Sequence, residues 1–313
     1  MSRVLKGKYA EIRKAFAPSA ALVLVLYSLY KAVSFSSYTT NFGTFAEPLG
    51  YVSNGQFMVG AGIGNVCSCS VVLLLYGKGW LKPFGTNATA ALSVSAALYL
   101  VNALFPERLF ETLSAGGLGV VWGIIVTILS LSCVELLVLG TSPLVPIVQL
   151  AFASFLMPLI ITAFGVLPRP WESVVYAVAC LVTALLISLC RRIEQPTPYP
   201  ENPHRTLKRT LQGSMMPILA ASAFELVVGL VNTYASLNRD SFVIADNVPV
   251  WGSAICSALV ILFVLVTSRA PKQQIVYNAV FPGVIAVFLL LPFFGTSLSV
   301  PLSTVVYSAY AFT

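Results

Sequence analysis

Residues 117–139 read GLGVVWGIIVTILSLSCVELLVL, a run in which Glu135 is the single ionisable side chain. A helix of about 23 residues rises roughly 35 Å, enough to cross a hydrocarbon core about 30 Å thick. Working outward in both directions, apolar runs of similar length recur at about 16–36, 56–76, 86–105, 144–166, 173–190, 213–236, 248–268 and 276–296, with a shorter one at 298–313. The stretches 21–26 and 71–75 are apolar without alternation, whereas the strands of a membrane barrel alternate. The expected fold is an all-α, polytopic transmembrane helical bundle with about ten spans.

Composition agrees with that reading. Of 313 residues, 58% are hydrophobic and 9% charged, against about 25% charged in an average soluble domain. A mean hydropathy of +0.88 exceeds what a soluble globule of this size can bury, so the lipid bilayer is the first partner. The six cysteines all fall in or beside apolar runs and read as packing residues; none is placed as an extracytoplasmic disulfide. Nothing has the spacing of a catalytic triad, a phosphate loop or a metal cluster, so the chain is read as no enzyme, with no cofactor and no metal. Gly60, Gly62 and Gly64 lie inside a span and follow no strand, which excludes a dinucleotide-binding turn.

Charge sets an expected orientation. Arg3, Lys6, Lys8, Arg13 and Lys14 precede the first span, Lys78 and Lys82 follow the second, and Arg191, Arg192, Arg205, Lys208 and Arg209 follow the sixth. By the positive-inside rule these segments, with Arg269 and Lys272, are cytoplasmic, as is the N-terminus. The opposite loops hold Arg108, Arg169 and Arg239 among more numerous acids. The net charge of +7 is then accounted for by topology and anionic lipid, without nucleic acid.

The longest polar stretch, 191–212, reads RRIEQPTPYPENPHRTLKRTLQ and carries four prolines that forbid a continuous helix. It divides the chain into an N-terminal six-helix half, 1–190, a cytoplasmic basic and Pro-rich linker, 191–212, and a C-terminal part, 213–313. Span spacing and charge pattern suggest that the second part begins to repeat the first.

Three ionisable residues fall within spans: Lys31, Glu135 and Glu225. Each needs a partner, a wet cavity or a function, because an ionised group in hydrocarbon is costly. Lys31 belongs to a polar stripe with Tyr27, Ser28, Ser34 and Tyr38, and Glu225 to one with Ser222 and Asn232. Lys31 either snorkels outward or pairs with Glu225, and the two stripes form either a structural interface or a cavity for a small-molecule signal or solute. Gly60 and Gly64 form a small-xxx-small contact that lets another helix approach closely.

Six spans, a basic linker and a second set opening on a polar-striped helix resemble the major facilitator architecture of twelve helices. The loop Gly77-Lys-Gly-Trp-Leu-Lys-Pro-Phe-Gly85 has that family's glycines and basic residues but lacks its Asp. A closer resemblance is to the major-facilitator-like membrane region of bacterial LuxR-type helix-turn-helix transcription regulators. It rests on the fourth span, Leu129-Ser-Leu-Ser-Cys-Val-Glu-Leu-Leu-Val-Leu-Gly140, on Tyr27-Ser-Leu-Tyr-Lys31 running into Tyr38, and on Ala151-Phe-Ala-Ser-Phe155 leading to Leu167-Pro168. The resemblance implies a multi-pass protein of the bacterial cytoplasmic (inner) membrane, with Glu135 in a conformational core. It further implies two more spans and a helix-turn-helix domain beyond Thr313, so that DNA is contacted only through a domain absent from this chain. A major-facilitator-like secondary transporter of a small solute is the alternative expectation.

Overall fold

The computed structural model describes residues 13–14, 16–36, 50–81, 84–105, 114–138, 144–168 and 171–193, with scattered positions between 205 and 262. The chain divides into two compact units, Met1–Pro203 and His204–Thr313. Among the described residues of the first unit are six long helices and no strand. They are α1 (Pro18–Ser36), α2 (Gly50–Gly77), α3 (Gly85–Leu104), α4 (Ala115–Val138), α5 (Leu144–Gly165) and α6 (Trp171–Ile193). In the second unit the described positions are short helical pieces, among which Ala254 and Ser257 are buried.

Five of these helices contain a stretch long and apolar enough to cross a membrane: Val59–Gly77, Asn87–Leu104, Ala115–Leu137, Val145–Gly165 and Trp171–Ile193. α1 adds the shorter apolar stretch Pro18–Ser34. The chain is therefore a helical, multi-pass membrane protein. The seventh to tenth apolar runs, and with them any count of ten or twelve spans, lie outside the described residues apart from isolated positions.

Local chemistry explains where the helices start and stop. Pro18 opens α1, where its missing N–H removes no helical hydrogen bond. α2 ends in a reciprocal pair of hydrogen bonds, from Trp80 N to the Leu75 carbonyl and from Gly79 N to the Tyr76 carbonyl, each 2.9 Å. That closure needs a left-handed residue, and Gly79 supplies it at φ 72°. Ser114 caps α4 by accepting from Gly117 N at 3.1 Å. α6 carries Glu172 in its first turn and Arg191 and Arg192 in its last, each opposite in sign to the helix dipole beside it. The two arginines, which the sequence puts at the head of the linker, thus belong to a helix that continues to Ile193.

The main helix contacts, those other than the slight α5–α6 and α4–α5 ones, survive exchanging the first three helices for the last three. α1 packs on α5 as α4 packs on α2, α1 on α6 as α4 on α3, and the pairs α3–α6 and α1–α4 map onto themselves. The correspondence reaches single residues. Gln149 Nε2 donates to the Ala20 carbonyl at 2.9 Å, and a Cβ on Gly60 would meet the Gly116 carbonyl. Lys31 bonds Ser154, and Thr127 bonds Asn65. Ala20 and Lys31 each stand 96 positions before Gly116 and Thr127, while Gly60 and Asn65 each stand 89 before Gln149 and Ser154. One register therefore relates both pairs of contacts.

The centre of the unit is aromatic. Tyr99 of α3 stacks on Tyr176 of α6 at 5.4 Å and meets Trp122 of α4 edge-on at 5.7 Å, and Phe164 of α5 meets Tyr176 at 5.2 Å. Offset and edge-to-face pairs of this kind each add about 0.5–1.5 kcal/mol beyond area burial. The Tyr99 hydroxyl also reaches the Val33 carbonyl at 3.3 Å, tying α3 to the end of α1.

Candidate functional site

A polar layer crosses the first unit through four helices. On α1, Lys31 Nζ donates to Ser154 Oγ of α5 at 2.8 Å and lies 5.8 Å from the centre of the Tyr27 ring. Tyr27 is one turn earlier on the same helix, so the lysine side chain runs back toward the α1 N-terminus, the direction in which helical Cα–Cβ bonds lean. Next to it, the hydroxyls of Tyr30 and Ser130 of α4 are hydrogen bonded. Thr127, one turn from Ser130, donates to Asn65 Oδ1 of α2 at 2.9 Å.

The α5 side of this layer has a local cause. Pro158 lies inside α5 and has no N–H to give the carbonyl of Ser154, four residues earlier. The Ser154 carbonyl thus lacks its usual i+4 donor on the same turn where the Ser154 hydroxyl accepts from the Lys31 ammonium. Ser154 is itself buried at 2% exposure, so its hydroxyl meets lysine in the interior of the unit.

Gly60 and Gly64 lie on the seam between α2 and α4. Added Cβ atoms would come well inside 3.0 Å of the carbonyl oxygens of Gly116 and Val120. Gly119 and Gly123 answer from the other helix, with Cβ positions equally close to the carbonyl oxygens of Phe57 and Ala61. Only glycine allows this approach, and it is what brings Asn65 within reach of Thr127. Gln56, Cys67 and Cys69 are exposed, whereas Cys133, Cys180 and Cys190 are buried.

Glu135 sits at the end of the unit where α4 and α6 finish and α3 begins. Its Oε2 accepts from Arg191 Nη2 at 2.7 Å and from the backbone N–H of Phe84, the residue capping α3, at 3.2 Å. Each side chain of the pair is 17% exposed, so water screens it only partly. One carboxylate thus joins three helix ends.

Tyr38, Ser222, Glu225 and Asn232 lie outside the described residues, and so does any pairing of Lys31 with Glu225. Among the described residues no carboxylate lies within ion-pair distance of Lys31, and no group of three His, Cys, Asp or Glu is arranged to hold a metal. Sequence reasoning missed Asn65, Thr127 and Ser154 as members of the layer. The available signal was the placing of polar residues within apolar runs, with Ser154 four positions before a proline. It also read Arg191 as a marker of topology when it is the partner of Glu135. Compared with models of known families, with curated proteins and with solved structures, the chain matches none.

Proposed function

We propose that the chain is the solute-sensing membrane region of a LuxR-type regulator of the bacterial cytoplasmic membrane, built on a major-facilitator-like scaffold with its N-terminus in the cytoplasm. The observation that carries the sensing is the Lys31 ammonium, turned into the bundle and held by Ser154 alongside Tyr27. A ligand that engages the remaining donors of Lys31 adds to its bond with Ser154 and so acts on the packing of α1 against α5. α1 also packs against α6, whose last turn holds the Arg191–Glu135 pair and leads directly into the basic linker. A ligand with different affinities for two arrangements of these helices shifts their populations, and the linker relays the shift to an attached DNA-binding domain.

The second reading, a secondary transporter of a small solute, is favoured by the exchangeable packing of α1–α3 and α4–α6. Inverted three-helix repeats are the framework on which such transporters rock around a midplane site. Neither reading gives the chain a catalytic residue or a cofactor.

One experiment separates them. The purified chain is screened for solutes that raise its unfolding temperature, and each hit is tested in Lys31→Met and then for counterflow in proteoliposomes. Under the sensor reading a hit loses its effect in Lys31→Met and gives no counterflow. Counterflow assigns the chain to transport. A screen in which no solute of any charge class stabilises the protein defeats both.

A further inference from the structure

The structure points to a ligand class for the Lys31 site: we infer that it takes a small organic monocarboxylate. The inference rests on the reading that the bundle binds a solute and names what that solute is. Lys31 brings one full positive charge into the layer, yet its partners among the described residues are neutral, a hydroxyl and an aromatic face. An ammonium has three N–H donors and Ser154 Oγ takes one, which leaves donors for an anion. An ionised group away from water is held by an opposite charge or it is expensive, so a ligand with one negative charge completes the site and a dianion leaves a charge uncompensated.

The apolar neighbours of the lysine favour an organic anion. Beside Lys31 and Ser154 on the same α1–α5 seam, Ala32, Met157 and Ile161 are buried and pack together, with Ile160 against them. Tyr27 and Tyr30 lie on the other side of the lysine along α1, their rings 5.7 Å apart. A short apolar tail gains by entering such a seam, whereas a halide gives up its hydration for apolar neighbours. The small side chain of Ala32, adjacent to the lysine, limits what it displaces.

The test uses the purified chain in lipid nanodiscs with four probes: butyrate, its uncharged isostere butyramide, the dianion succinate, and chloride. Butyrate is expected to raise the unfolding temperature in a saturable way, while the other three at equal concentration leave it unchanged. In Lys31→Met the apparent affinity for butyrate should fall at least tenfold. Should that variant not fold, Ser154→Ala keeps the charge but no longer positions the ammonium, and the butyrate affinity should fall severalfold. An equal effect of chloride or butyramide, or an unchanged butyrate affinity in whichever of the two variants folds, overturns the inference. So does recovery of wild-type stability in the double variant Lys31→Glu with Glu225→Lys, because the counter-charge is then the protein's own. If other solutes stabilise the chain independently of Lys31, the monocarboxylate is lost while solute binding stands; if none does, both fall.

Discussion

Glu135 shows how much a single residue discloses. Its place in an otherwise apolar run marks it as needing a partner, and the run alone does not say which. Arg191 is 56 positions away and looks like any other basic residue at the end of a span. Packing makes the pair, because α4 and α6 finish at the same end of the unit as α3 begins. The contact is made through one guanidinium nitrogen, and Arg191 Nε is buried without a hydrogen-bond partner among the described residues. A fork using both nitrogens would be stronger, so the clasp is one that a modest rearrangement can open. Glu135→Gln should therefore destabilise the purified protein by about 1–2 kcal/mol, the range for hydrogen bonds to charged groups reduced for partial exposure. Arg191→Met should add less on top of Glu135→Gln than it costs alone. Additive losses in a double-mutant cycle read by thermal unfolding would show that the two side chains act separately.

At the scale of helices, the existence of all six described elements and the approximate ends of five could be read from apolar run length, whereas α2 begins at Gly50, six residues before its apolar run. Which helices touch could not be read, because lipid-facing and partner-facing surfaces are both apolar. The exception is the α2–α4 seam, where small residues at a spacing of four promise a close approach without naming the partner. Three substitutions on α2 test that seam. Gly60→Ala and Gly64→Ala place a methyl group against backbone carbonyls that cannot move aside, and each should cost about 1–3 kcal/mol. Gly62→Ala puts the same group where nothing lies within 4 Å, and should be neutral or stabilise by up to about 1 kcal/mol through helix propensity. Equal losses at all three positions would mean that glycine matters to α2 itself and not to its contact with α4. On α5, Pro158→Ala restores an N–H to the Ser154 carbonyl. If that carbonyl serves the polar layer, the variant should be more stable to heat yet bind the stabilising solute severalfold more weakly, a combination that simple helix repair does not produce.

For the whole molecule, the exchange relation between α1–α3 and α4–α6 was invisible in the sequence, because it preserves which helix packs on which and almost no residue identity. Lys31 corresponds to Thr127 and Gln149 to Gly60, pairs that no comparison of letters would align. The relation also fixes relative directions. Contacts along α2–α4 and α1–α5 advance together, while those of α3 and α6 run oppositely, so α2 shares the direction of α4, α1 that of α5, and α3 opposes α6. Packing leaves open which end faces the cytoplasm, and charge supplies the proposed answer. The end that holds the α6 C-terminus has Lys78, Arg191 and Arg192, and the chain beyond it carries Arg205, Lys208 and Arg209, whereas the N-terminus of α4 at the other end begins with the exposed, uncharged Ser114. An inner membrane with a negative interior surface retains the basic end, so Arg205→Cys should be shielded from an impermeant maleimide in intact cells and react after permeabilisation. Ser114→Cys should react in intact cells. The six native cysteines are replaced first, so that each label reports its own position. The opposite labelling at both positions would invert the protein, move the Arg191–Glu135 clasp to the outer surface, and end the proposal that it relays a signal to DNA.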